Sequence, residues 1–164
     1  MGYTTEFDGQ FAVDPPLKPE HAEYLQKFAD TRRMKRDPRR AENLLDLSRQ
    51  HVGLPIGEEG GYFVGGVGYL GQGDDESITD HNKPPIGQPD LWCHWTPTAN
   101  GHGLEFNGRE KCYRYVAWLE YLIAHFLRPW GYSVSGTVLW AGERGEDTGT
   151  ITIRSNIVIA KADS

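Results

Sequence analysis

Residues 109–128, REKCYRYVAWLEYLIAHFLR, run directly into residues 129–160, PWGYSVSGTVLWAGERGEDTGTITIRSNIVIA. The first stretch has helical spacing. At about 100° per residue, Cys112, Tyr115, Val116, Leu119, Leu122, Ile123 and Phe126 fall on one broad face, and Glu110, Arg114, Tyr121, His125 and Arg128 lie opposite. Glu110 and Arg114 stand one turn apart and can pair. Pro129 stops the helix, because it has no N–H to donate and its ring clashes with the preceding turn. Beyond it the period changes to two: Tyr132, Val134, Val138 and Trp140 alternate with Ser133, Ser135 and Thr137. Gly145 to Asp147 makes an acidic turn. Ile151 and Ile153 then alternate with Thr150, Thr152 and Arg154, and Ser155-Asn156 turns the chain into Ile157 to Ala160. A long helix followed by an antiparallel meander predicts an α+β domain with the helix across one face of the sheet.

Upstream, Phe7, Phe11 and Val13 share parity, and Asp8-Gly9 is a turn signal, so residues 3–13 read as an opening strand or hairpin. Pro19 starts a helix whose apolar face is Ala22, Leu25, Phe28 and Ala29, reaching to Met34. Asp37-Pro38 starts a second, with Ala41, Leu44, Leu45 and Leu47 as its stripe and Gly53 at its end. Leu91 to Thr96 is a short aromatic strand, turned at Asn100-Gly101-His102-Gly103 into Leu104 to Phe106. The whole chain, 1–164, is expected to form a single domain, with a Gly/Pro-rich irregular segment at 57–90.

The 164 residues carry 17 basic and 23 acidic side chains, a net charge of −6. That balance argues against a general nucleic-acid coat, which needs a basic surface. No apolar run reaches about 18 residues, so no membrane span is expected. No leader is visible, and two cysteines, Cys93 and Cys112, are too few for a disulfide framework. A reducing cytoplasm is the expected location.

Gly66-Val67-Gly68-Tyr69-Leu70-Gly71 has the GxGxxG spacing, but Gln72-Gly73-Asp74-Asp75-Glu76 follows it and cannot open an amphipathic helix, so a turned loop is expected rather than a dinucleotide cradle. His81, Cys93, His94, His102 and Cys112 lack the ligand spacing of a zinc site, so neither metal nor other cofactor is expected. Arg32, Arg33, Lys35, Arg36, Arg39 and Arg40 gather six of the 17 basic residues into nine positions, which suits phosphates or an acidic partner.

All five tryptophans lie between 92 and 140. On the helix wheel Trp118 and Tyr121 fall outside the core arc, and Trp92 and Trp95 have opposite strand parity, so one of them is free to leave the core. Aromatics with polar tips suit pockets and interfaces. The expected site is therefore an aromatic surface of Trp92, Trp95, Trp118, Tyr121 and Trp140, with Lys111 and Arg114 as polar contacts, taking a small molecule, a nucleotide or a protein partner. Two alternatives stand beside it. One is a hydrolase or transferase for a nucleotide-like substrate, built from Glu105, Glu143 and Asp147 with Arg114. The other is an adaptor that binds an acidic partner through residues 32–40.

Gln88-Pro89-Asp90-Leu91-Trp92-Cys93-His94-Trp95-Thr96-Pro97, Glu110-Lys111-Cys112-Tyr113, Trp118 to Ile123, Pro129-Trp130-Gly131-Tyr132 and Trp140-Ala141-Gly142-Glu143 together resemble a family of small proteins encoded by bacteria and their phages. The resemblance implies an accessory role in a phage or prophage. It carries no activity and assigns no catalytic residue.

Overall fold

The computed structural model describes residues 3–108 and 114–163. It has a mixed α+β fold: a largely antiparallel seven-stranded sheet, a separate two-stranded pair and, among the described residues, four helices. The chain groups into two compact units, Met1–Leu17 with His94–Ser164, and Lys18–Cys93.

The first unit holds the large sheet. Its strands are β1 (Thr5–Asp8), β2 (Phe11–Asp14), β5 (Trp95–Pro97), β6 (Gly103–Phe106), β7 (Ser133–Gly142), β8 (Thr148–Arg154) and β9 (Ile157–Ala162). The order is β5-β6-β2-β7-β8-β9, with β1 also on β7. The opening stretch is not a hairpin, as the Asp8-Gly9 signal suggested. Both halves run antiparallel to β7, with Phe7 opposite Trp140 and Val13 opposite Val134. The meander forms as its alternation requires, and Val134, Val138, Ile151 and Ile153 are fully buried on one face. Ser155 and Asn156 both take positive φ, as a two-residue hairpin turn demands. The Asn156 amide then stitches the turn to β7 by accepting from Val134 N at 2.6 Å and donating to Tyr132 O at 3.1 Å.

Helix α4 (Tyr115–Leu122) continues through a wider turn over Ile123–Leu127, in which Arg128 N reaches back five residues to Ile123 O at 2.9 Å. The expected start at Arg109 lies outside the described residues. The wide turn has a cause in the sequence. Trp118-Leu119, Leu122-Ile123 and Phe126-Leu127 repeat every four residues and are all buried. On an ordinary helix such a repeat drifts by about 40° per step, and a turn of larger period takes up that drift. The buried arc is also broader than the wheel predicts: Trp118 is 0% and Tyr121 8% exposed, against their expected place outside the core.

The second unit has little regular structure. Helix α1 (Pro19–Asp30) buries Tyr24, Leu25, Phe28 and Ala29 and ends four residues before Met34. The expected second helix is two short ones, α2 (Pro38–Ala41), capped by Asp37 accepting from Arg39 N at 2.9 Å, and α3 (Leu47–His51). The interruption carries Asp46 inward, where its carboxylate accepts from Val64 N at 3.3 Å and pairs with Arg49 at 2.7 Å. Leu45 and Leu47, expected in the stripe, are turned out to 74% and 51% exposure. Strands β3 (Lys35–Arg36) and β4 (Ile78–Asp80) form the small pair. The Gly66–Gly71 segment is a turned loop. Gly71 has φ 66°, and a Cβ on it would lie 2.6 Å from the Thr31 methyl, so glycine lets the loop sit on the end of α1.

Candidate functional site

One concave site of the first unit is built at the N-terminus of α4. Arg114 sits before the helix in the left-handed region, φ 58°, and its carbonyl accepts the first helical bond from Trp118 N at 2.9 Å. The next carbonyl, that of Tyr115, accepts from the Trp95 indole at 3.0 Å, which ties the helix start to β5. The Tyr115 ring meets Phe7 edge-on at 5.0 Å and lies 6.3 Å from Trp140.

Trp140 shares the inner face of β7 with Val134 and Val138. Its cross-strand neighbours are Phe7 on β1 and Gly149 on β8. A Cβ at Gly149 would stand 2.5 Å from two indole carbons, so the missing side chain is what lets the indole lie over β8. Ala160 and Ala162 of β9 are small and leave the space beside it open. The result is a cavity of about 490 Å³ lined by these alanines, Trp140, Tyr115, Arg114, Glu120 and Lys161, with Val116 and Ala117 along the helix. Arg114, Glu120 and Lys161 are exposed, and none is in an ion pair with another described residue. Lys161 lies between Ala160 and Ala162 on β9, so it contributes backbone to the lining while its side chain alternates to the other face of the sheet. The cavity thus offers an apolar aromatic wall, one guanidinium and one carboxylate.

Of the expected aromatic site, the structure brings together Trp140 and Arg114. Trp95, Trp118 and Tyr121 are core. Trp95 packs on Phe7 and Phe11, Trp118 lies edge-on to Tyr121, and Tyr121 stacks on His125 at 3.9 Å. Burial pushes the His125 pKa down. Trp92 is half-buried in the other unit, with the Arg32 guanidinium 6.0 Å from its ring. Lys111 lies outside the described residues. Tyr115, Glu120 and Lys161 were not singled out in sequence. Tyr115 belonged to the predicted core face, and Lys161 falls just past the predicted end of the last strand.

The carboxylates do not join Arg114. Glu143 and Asp147 flank the β7–β8 turn, where Glu143 accepts from Thr4 N at 2.7 Å and Asp147 accepts from the Tyr3 hydroxyl. That bond raises the Tyr3 pKa. Glu105 faces Thr96 across the β5–β6 pair. Arg114 lines a cavity that none of the three carboxylates lines. Among the described residues no group of three or more His, Cys, Asp or Glu side chains could hold a metal ion. No helix among them is long and apolar enough to cross a membrane.

The basic run is turned inward at two of its six positions in its own unit. Arg33 and Arg36 are 2% and 3% exposed. Arg33 lies 4.2 Å over Phe28 and donates to Gly61 O at 2.9 Å and Gln88 at 3.3 Å. Arg36 lies 4.5 Å over Phe63 and donates to Asp75 at 2.7 Å and Ser77 at 2.9 Å. Arg32 donates to His81 O at 3.0 Å, Arg40 to Glu76 O at 3.2 Å, and Lys35 pairs with Glu59 at 3.5 Å. Arg39 and Arg40 remain exposed in α2. Burial raises the Asp75 pKa, but hydrogen bonds from Ser77 and Arg36 outweigh it and hold the carboxyl below its ordinary value.

Compared with family models, curated proteins and solved structures, the chain matches none.

Proposed function

We propose that this chain is a binding protein whose site is the cavity between α4, Trp140 and β9, and that its ligand joins a flat unsaturated ring to negative charge, as a nucleotide does. The observation that carries this reading is the placement of one cation, Arg114, and one carboxylate, Glu120, beside the Trp140 and Tyr115 rings in one open cavity. A ring stacks on the aromatic wall, an anion takes fork-like donors from Arg114, and Glu120 accepts from a ring amine. A cavity of about 490 Å³ falls in the range of small-ligand sites. The resemblance in sequence supports an accessory role in a phage or prophage, and the low cysteine count supports a cytoplasmic one.

Calorimetric titration with a nucleoside monophosphate, the matching nucleoside and inorganic phosphate tests the reading. The monophosphate is expected to bind best, with Trp140→Ala and Arg114→Ala each weakening it about tenfold or more, the equivalent of about 1.4 kcal/mol. Trp92→Ala is expected to leave binding unchanged. Failure of the monophosphate to bind, or equal affinity in folded Trp140→Ala, overturns the reading.

A further inference from the structure

We propose that the free edge of β9 is a self-association surface, through which two copies of this chain pair antiparallel across a two-fold axis. The large sheet ends differently on its two sides. One end is β5, three residues long and closed by Pro97. The other is β9, six residues without proline, where Ile157 and Ile159 are 62% and 53% exposed and Lys161 is the one charge. Sheets that remain single blunt such an edge with proline, a bulge or several charges. β5 is blunted in this way and β9 is not. Among the described residues β8 is the one neighbour of β9.

The register fixes which backbone groups are available. Asp163 N donates to Thr148 O at 2.8 Å, and Lys161 and Ile159 stand opposite Thr150 and Thr152. Backbone groups alternate sides along an antiparallel strand, so those of Ile159 and Lys161 turn to β8, while the N–H and C=O groups of Val158, Ala160 and Ala162 turn outward. These three positions are symmetric about Ala160. With the axis at Ala160, Ala160 meets its own copy and Val158 meets Ala162 of the second copy, so every outward donor faces an outward acceptor. Ile159 then lies against the aliphatic stem of Lys161 of the second copy, and no like charges are directly opposed. The strand is its own complement, and the contact closes at two copies because both supply the same patch. Pairing uses the backbone edge and leaves the Ala160 and Ala162 side chains facing the cavity, so this inference stands apart from the ligand reading.

Light scattering on the full chain is expected to give twice the 18.5 kDa chain mass. Ala160→Pro removes an outward donor without touching the β8 pairing, and is expected to give the single-chain mass with an unchanged circular dichroism spectrum. Amide exchange needs no substitution. In the pair, Val158, Ala160 and Ala162 are protected together with Ile159 and Lys161, and lose that protection on dilution. A single-chain mass at every concentration that stays in solution, with Val158, Ala160 and Ala162 exchanging freely, overturns the proposal. So does a double mass that persists in folded Ala160→Pro, or one in which those three amides stay unprotected. Should Ala160→Pro fail to fold, the exchange pattern alone decides.

Discussion

In the unit formed by residues 1–17 and 94–164, β7 pairs with β8 from Gly136 to Ala141, and backbone donors meet backbone acceptors in register. In residues 18–93 the backbone bonds are scattered among turns, short helices and isolated crossings, and side chains add to them. Arg33, Arg40, Arg32 and Arg49 donate to the carbonyls of Gly61, Glu76, His81 and Leu54, while Asp46 and Glu59 accept from the amides of Val64 and Ile86. Buried backbone groups must find partners by one route or the other. The sheet spreads that duty over many equivalent bonds. The second unit adds a few buried charges, Arg33 and Arg36 stacked on Phe28 and Phe63 among them, so its tolerance of substitution should be far lower at those few positions.

The sharpest break of this comparison is Arg36→Met. It leaves the Asp75 carboxylate without its buried partner, and loss of one member of such a pair costs about 3–5 kcal/mol. Denaturant unfolding should show that loss. A change under about 1 kcal/mol would mean that the Arg36–Asp75 pair does not hold the unit. In the sheet, Gly149→Ala places a methyl against the Trp140 indole and should cost about 1–3 kcal/mol, with a shift in tryptophan emission as the indole moves. Unchanged emission and stability would refute the close approach.

The two carboxyls of the second unit should show opposite signs with pH. Asp75 is held below its ordinary value of 3.8, so it contributes stability above that pH, and the contribution is lost as pH falls below 3.8 toward the folded value. Asp46 is raised, chiefly by burial, with Arg49 and Val64 N opposing. Its contribution is complete below 3.8 and is lost as pH rises from 3.8 through the raised folded value. Stability followed against pH in Asp75→Asn should lack the acid-side loss, and in Asp46→Asn the loss on the higher side. Identical pH profiles in both variants and the parent would contradict the assignment. The smallest effect belongs to Leu45→Gln. A helical stripe residue would cost about 2–5 kcal/mol to lose, whereas a side chain turned out to 74% exposure should change stability by no more than about 0.5 kcal/mol.

Legibility in the sequence follows the range of the interactions. The α1 face of Leu25, Phe28 and Ala29, the α4 run, and the alternation of Val134, Val138, Ile151 and Ile153 were readable, because each depends on neighbours within one turn or one strand pair. Leu45 was misread because the break at Asp46 is set by Val64 N, eighteen residues on. Trp118 was misread because the wheel assumes one buried stripe on a helix of constant period, and α4 has neither. Of the candidate site, Trp140 was readable as a tryptophan on the apolar side of the meander and Arg114 as a cation opposite the apolar face of the helix. Their meeting was not, because it rests on Gly149 and on the Tyr115 carbonyl held by Trp95.

By itself, then, the sequence determined the α+β class, the chief helices and the meander, since helical and strand periods are written in residues a few positions apart. Tertiary structure alone decided which tryptophan faces a cavity and that Arg33 and Arg36 go inward. Burying a guanidinium is tolerable only where acceptors such as Gly61 O, Asp75 and Ser77 converge on it, and those lie 28 to 41 residues along the chain.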